Sequence, residues 1–382
     1  MRRLNNLITL FSAMFAFFFG CFLTTTLTNI EKCTTKPASR IDTHNGIFLI
    51  ILILSAPGYF ERRQTIRDTW LKLGKPLRQP YYTEDNIYLP EYDDQGFLQH
   101  ETVAEQANRF LLFLDWMTNV NANGIGGRRD IRTKHFFVIG TKYLSAALKA
   151  EIYKEQKSYR DLLLLDELED TYSNLTAKLL LSIESIVRNH KFNYILKTDD
   201  DTYVKMDFLL NELVSYDRKL IRRTKEYKGA PLPELYWGYF NGRAQIKTRS
   251  QWKESHFNLC DRYLPYALGG GYIISRMIAE YVETNSKLLS SYVSEDISMG
   301  TWLSPLRNIY RKHDVRFDTG YMPRKCGKHH IVLHKRTMEQ MQDLYEDRLC
   351  TFESTNEKLM KRPPEYHYNW KKPANKCCDS LA

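Results

Sequence analysis

The chain has 382 residues, 43% of them hydrophobic and 13% aromatic, which excludes a disordered chain and leaves room for one large packed domain or two smaller ones. Lys and Arg (55) outnumber Asp and Glu (45), a formal charge of +10. That excess suits a polyphosphate or acidic ligand, an anionic membrane surface or plain solvation.

Residues 7–27 (LITLFSAMFAFFFGCFLTTTL) carry no charge and match the ~20 residues a helix needs to cross a bilayer. Arg2 and Arg3 precede this run; Glu31, Lys32 and Lys36 follow it. The basic N-terminus predicts a cytoplasmic tail at residues 1–6, a signal anchor at 7–27 and everything else on the far side of the membrane. The rival is a cleaved signal peptide, whose apolar core is shorter and ends in a small-x-small site; no convincing site follows here. On the far side of a secretory membrane no nucleic acid is expected as a partner. Residues 28–45 are polar and irregular and read as a stem.

The far-side domain, residues 46–382, opens on GIFLIILIL (46–54), a continuous β-branched run of the kind buried on both faces of a parallel sheet. A helical stretch, ERRQTIRDTWLKL (61–73), follows the turn APGYF. Residues 76–134 break the pattern: they are rich in tyrosine and acid, then carry one amphipathic piece, ANRFLLFLDWM (107–117), then a glycine-rich patch, and read as a surface insertion. Beyond them strands are expected at 135–140, 161–166 and 192–197, with helices at 143–159 and 174–190 between them. Such alternation predicts an α/β layer fold with right-handed crossovers. Helices at 206–216 and from 276, and a Cys-bearing tail, complete the chain.

Cys21 lies in the anchor. Cys33, Cys260, Cys326, Cys350, Cys377 and Cys378 make an even set in a compartment that permits disulfides, and sequence does not choose among the pairings. Bonding adjacent cysteines strains the backbone, so Cys377 and Cys378 are expected to reach different partners. No CxxC pair or His cluster at ligand spacing argues for zinc instead. Asn174-Leu175-Thr176 is a glycosylation sequon; Asn174 also suits a helix N-cap, and the two roles are compatible.

Three aspartates, Asp199, Asp200 and Asp201, follow the strand FNYILK. In parallel α/β sheets ligands gather at the carboxyl ends of strands. Residues two apart on extended chain face the same way, so Asp199 and Asp201 can share a ligand while Asp200 points elsewhere. Paired hard oxygens suit Mg²⁺ or Mn²⁺ carrying a diphosphate; the bland alternative is a solvated acidic turn. Glu295 and Asp296 open the helical stretch EDISMGTWL. By residue type alone they read as N-terminal caps, although a carboxylate there can also act as a general base. Gly269, Gly270 and Gly271 allow either close backbone approach to a ligand or a tight turn.

The strings RRQTIRDTW, DTYSNLTAKLL, YILKTDDDTYVKMD, PYALGGGYIIS and SEDISMGTWL, in this order over most of residues 46–344, resemble glycosyltransferase family 31, the β-1,3-glycosyltransferases. LLLLDELEDTYSNLTAK, LYWGYFNGRAQIK, NLCDRYLPYALGGGY, HDVRFDTGY and the terminal CC are similar to its linkage-region galactosyltransferases. The resemblance implies a GT-A type, Rossmann-like nucleotide-sugar transferase domain in a single-pass type II Golgi enzyme. It implies UDP-galactose as donor, Mn²⁺ as cofactor and inversion at the anomeric carbon. The acceptor it implies is galactosyl-β-1,4-xylose on a proteoglycan core protein, which receives the second galactose of the glycosaminoglycan–protein linkage. Matched position by position, Asp199–Asp201 fall on the DxD motif, with Asp201 a direct metal ligand and Asp199 and Asp200 on the nucleotide side. Asp296 falls on the catalytic base, reversing the bare reading of that residue. His334 falls on a C-terminal metal ligand, against the general rule that a lone His is structural. Arg63 and Arg67 fall near the nucleotide, where Arg67 pairs with a phosphate or supports the local fold. The length of residues 76–134 departs from the family pattern.

Overall fold

The structure, a computed structural model, describes Met14, Phe18, Phe19 and residues 46–74, 86–119, 131–226, 232–322, 326–347, 350 and 365–380. The anchor and stem expected at residues 7–27 and 28–45 therefore lie almost wholly outside the described residues. Among those described, no helix is long and apolar enough to cross a membrane.

A seven-stranded sheet forms the centre. In chain order its strands are β1 (Ile47–Leu54), β2 (Thr133–Gly140), β3 (Leu162–Leu165), β4 (Phe192–Asp199), β6 (Glu234–Gly238), β9 (Gly271–Ser275) and β10 (Ile309–His313), in the spatial order β10-β6-β9-β4-β1-β2-β3. β1 pairs in parallel with β2 and β4, β2 with β3, and β10 with β6; β9 alone runs against its neighbours β4 and β6. The order β3-β2-β1-β4 is that of a Rossmann half, so the chain's direction of progress reverses beside β1 and β4, where such sheets bind ligands. Leu49 to Ile53 are at most 2% exposed, as an unbroken apolar run requires when helices cover both faces.

The helices are α1 (Phe60–Asp68), α2 (Val103–Asn119), α3 (Ala146–Tyr159), α4 (Leu175–Asn189), α5 (Met206–Glu226), α6 (Arg276–Asn285), α7 (Glu295–Leu303) and α8 (Met338–Glu346). The expected elements of the first half match to within a few residues. α5 runs ten residues past its expected end at 216, because DRKLIRRTKE holds no Gly or Pro and Leu220 keeps the apolar face in the core.

Residues 76–134 are more than a surface insertion. Their described part contains α2, whose inward face, Gln106, Arg109 and Phe113, is buried at helical spacing. Arg109 bonds both oxygens of Glu101 and reaches Asp314 Oδ2 at 3.0 Å. Gln106 exchanges two hydrogen bonds with the main chain of Tyr368. The amphipathic piece at 107–117 is thus the C-terminal part of this helix, and because two of its three inward residues are polar the pattern did not show that the face is core.

Three small sheets flank the large one. β5 (Tyr203–Val204), β11 (Phe317–Asp318) and β12 (Val332–Leu333) form one; β7 (Phe240–Asn241) and β8 (Tyr266–Ala267) another; β13 (Tyr366–Tyr368) and β14 (Cys378–Ser380) the third. Disulfides join Cys326 to Cys350 and Cys377 to Cys378, so the adjacent cysteines pair with each other, contrary to expectation. Cys326 and Cys350 are taken by one another and Cys260 is exposed and free, which leaves neither of the pair another partner among the described residues.

Candidate active site

β4 ends where the sheet order reverses and presents Lys197 and Asp199 on one side of the strand. β12 lies beside β5, Leu333 opposite Tyr203, and this pairing carries His334 to the aspartates. Its Nε2 is 3.0 Å from Asp201 Oδ1 and 3.4 Å from Asp199 Oδ2. Its Nδ1 donates to Gly320 O at 3.1 Å, which fixes a proton on Nδ1 and turns Nε2 to the two carboxylates, where an ion that displaces the second proton would meet its lone pair. Nε2 and Asp201 Oδ1 are both buried without a hydrogen-bond partner. Three ligand atoms thus converge on one point, as a cation site requires, and two carboxylates with one imidazole suit Mn²⁺. Burial disfavours charge on His334, but Asp199 and Asp201 outweigh it and hold the imidazole up to about 9. A proton and a cation therefore compete for one place.

His329, His330 and Glu365 make a second close group, and the same test excludes it. His330 Nδ1 accepts the Gly327 N–H at 3.0 Å, so its Nε2 carries the proton and donates to Glu365 at 3.2 Å. There a hydrogen bond already occupies the position an ion needs.

Across the cavity α7 begins with Glu295 and Asp296. Asp296 Oδ2 accepts the Gly269 N–H at 2.9 Å and Oδ1 the Ile297 N–H at 2.8 Å. Burial first, then the neighbouring Glu295, push the Asp296 carboxyl up to about 8, against the opposing pull of Lys197 and the two amides. Such a carboxyl can take a proton near neutral pH. The three glycines serve protein as much as ligand. A Cβ at Gly269 would meet the Glu295 and Asp296 carboxylates at 3.1–3.2 Å, and one at Gly270 would strike the His334 ring at 2.5 Å. Asp199, His334, Gly269, Gly270 and Asp296 all line one cavity of about 350 Å³.

Lys197, which sequence reasoning passed over, joins the two sides. Its buried ammonium donates to Asp199 Oδ1 (2.8 Å) and Gly269 O (2.6 Å), and pairs with Glu295 Oε1 (2.5 Å). The period-two spacing from Asp199 was the available signal. Glu295, read as a cap, is the third member of this bridge.

Other expected site residues lie apart from the cation triad. Asp200 is buried and turned to Arg62, 3.1 Å away. Arg63 and Arg67 do not face the cavity. Arg63, 1% exposed, spends its donors on Glu155, Ser55 Oγ and the carbonyls of Ala56 and Pro57. Arg67 binds Asp161 through two nitrogens and also Glu155. Both shape the β1–α1 turn: the donors of Arg63 are all taken there, and Arg67 turns Nε and Nη2 to carboxylates and Nη1 toward Gln64 Oε1 at 3.5 Å. Asn174 stands at the N-cap position of α4 without a side-chain cap bond and donates instead to Glu169 O. Trp237 and Tyr239 are in the core: the Trp237 indole donates to Asp314, and Tyr239 packs on His313 and Tyr366.

The sequence profile of the family described as Galactosyltransferase matches residues 108–314. The chain belongs to that galactosyltransferase family. The stretch matched contains most of the parallel sheet, the three aspartates and Asp296. Mouse beta-1,3-galactosyltransferase 6 is 32% identical over 367 residues, covering 94% of this chain and 92% of that protein. Arabidopsis thaliana probable beta-1,3-galactosyltransferase 5 is 29% identical over 77% of this chain and 60% of its own length. Human UDP-GalNAc:beta-1,3-N-acetylgalactosaminyltransferase 2 is 32% identical over 41% of this chain and 28% of its own length. A galactosyltransferase-family member is a glycosyltransferase, and its expected ligands are a nucleotide-sugar donor and a glycan acceptor.

Proposed function

We propose that this galactosyltransferase-family member is an inverting β-1,3-galactosyltransferase that moves galactose from UDP-galactose to galactosyl-β-1,4-xylosyl-serine of proteoglycan cores. In this reading it adds the second linkage galactose in heparan and chondroitin sulfate synthesis, as a type II protein of the Golgi membrane. The observation that carries the reading is a cation triad and a raised carboxyl facing each other across one cavity. The near-full-length similarity to the mouse β-1,3-galactosyltransferase supports the donor and the linkage.

Asp199, Asp201 and His334 would hold Mn²⁺, with the Gly320 carbonyl fixing the His334 tautomer. When bound, the cation neutralises the diphosphate that departs from galactose C1. Asp296 takes the proton of the acceptor O3 as that oxygen attacks C1 from the opposite face, and the Gly269 and Ile297 amides hold its carboxyl in place. Lys197 keeps Asp199 and Glu295 in register, so cation side and base side move as one unit. The test is transfer from labelled UDP-galactose to a galactosyl-β-1,4-xyloside set against an N-acetylglucosaminide. Transfer to the second alone would keep the family and overturn the acceptor.

A further inference from the structure

The cavity has a wall that the mechanism leaves unused. Tyr172, Trp252 and Tyr321 line it on the side open to solvent. The Trp252 ring stands edge-on to Tyr321, centroids 4.7 Å apart at 81°, and to Tyr172 at 6.5 Å and 77°. Tyr172 is 40% and Tyr321 64% exposed, so the arc is not closed off as core. Tyr321 follows Gly320, the residue that orients His334; Tyr172 lies close enough for Asp296 to raise its hydroxyl, an effect led by burial.

The segment that carries Trp252 is built to hold it there. Residues 247–254 form a turn closed by Glu254 N–H to Lys247 O at 2.8 Å, with Ser250 at a left-handed φ of 67°. Glu254 is buried, and its Oε2 accepts the Val293 N–H at 2.9 Å, three residues before Asp296. Beneath the turn a satellite core of Phe257, Tyr263, Tyr266, Tyr292 and Ile297 joins the segment to the first turn of α7. The turn and the base thus share one packing unit, distinct from the strands β4 and β12 that bring the cation triad together.

We infer that Trp252 and Tyr321, with Tyr172, form the acceptor wall: a pyranoside rests its apolar C–H face on these rings and so aims a ring hydroxyl at Asp296. This rests on the transferase reading and names how that site selects its acceptor. An aromatic face is electron-rich and apolar and suits the faintly positive C–H face of a sugar. An aromatic-lined cavity with a few fixed polar groups is the usual form of a small-ligand site. Ring stacking selects a pyranoside by shape, and the fixed distance from wall to base selects which hydroxyl reacts.

The experiment compares Trp252→Ala, Trp252→Phe and Tyr321→Ala with the wild-type protein. For each it measures acceptor KM and kcat with UDP-galactose and Mn²⁺, and the affinity for UDP with Mn²⁺ by calorimetry. Losing one stacked ring costs about tenfold in binding. Acceptor KM is therefore expected to rise about tenfold in Trp252→Ala and also in the exposed, fold-neutral Tyr321→Ala, with Trp252→Phe restoring most of it and UDP affinity within about twofold of wild type. Acceptor KM unchanged in both alanine variants overturns the acceptor wall. So does an equal fall in UDP affinity, which would assign the rings to the donor. A wild-type protein that binds no UDP with Mn²⁺ would sink the transferase reading and the wall with it.

Discussion

Asp296 and His334 both hold a proton beyond their ordinary range, with opposite consequences: Asp296 is kept neutral and His334 is kept charged. Asp296 is kept protonated up to about 8 by burial and by Glu295. As a base it works only when ionised, so kcat/KM should rise with pH through that region and flatten above it. With the cationic site filled, the nearby positive charge favours the carboxylate and moves the limb of kcat downward. A pH–rate series checks this, and a flat profile between pH 6 and 9 would count against Asp296. Asp296→Asn should lower kcat by about 10²- to 10⁴-fold and leave UDP affinity near wild type, read by calorimetry. The residue scale is also where sequence said most and least. The three aspartates stood out because they follow a strand with no other polar run. The partner of Asp296 did not, because Gly269 reaches it only through the placement of β9 against β4, a tertiary fact that no local spacing encodes.

At the scale of elements, the β1–α1 turn is held by an ion-pair cluster rather than by apolar packing. Arg63 and Arg67 share Glu155, and Arg67 also pairs with Asp161. Removing one partner leaves buried charge uncompensated, so Glu155→Ala should destabilise by about 3–5 kcal/mol, seen as a lower denaturation midpoint. Asp161 adds a pH signature. Burial opposes its ionisation, but His135 and Arg67 prevail and depress the carboxyl to about 2. A depressed folded value means the stabilisation is complete above the unfolded value near 4 and is lost as pH falls from there toward 2. Asp161→Asn should flatten that part of an acid-unfolding curve. The β–α alternation around this cluster was legible because a strand buried on both faces needs an unbroken apolar run. Helix α2 was legible as an amphipathic piece but not as part of the core, since Gln106 and Arg109 carry much of its inward face. Phe113→Ala should cost about 3–5 kcal/mol, measured by denaturant melts; a loss below about 1 kcal/mol would return residues 76–134 to the surface.

For the whole molecule, the sheet and the satellite core divide the labour of the proposed transfer. β4 of the large sheet and β12 of a small one bring the cation triad together; the satellite core joins the aromatic turn to the first turn of α7; Lys197 ties the two. Chelation should therefore abolish transfer without unfolding the domain, because its core is complete in the protein's own contacts. The measurement that tests the central claim most directly is transfer from labelled UDP-galactose to a galactosyl-β-1,4-xyloside with Mn²⁺, repeated with chelator and with Asp296→Asn. The account predicts a β-1,3-linked product from the wild-type protein alone, lost in both controls. Full transfer by Asp296→Asn, or transfer indifferent to chelation, would contradict it.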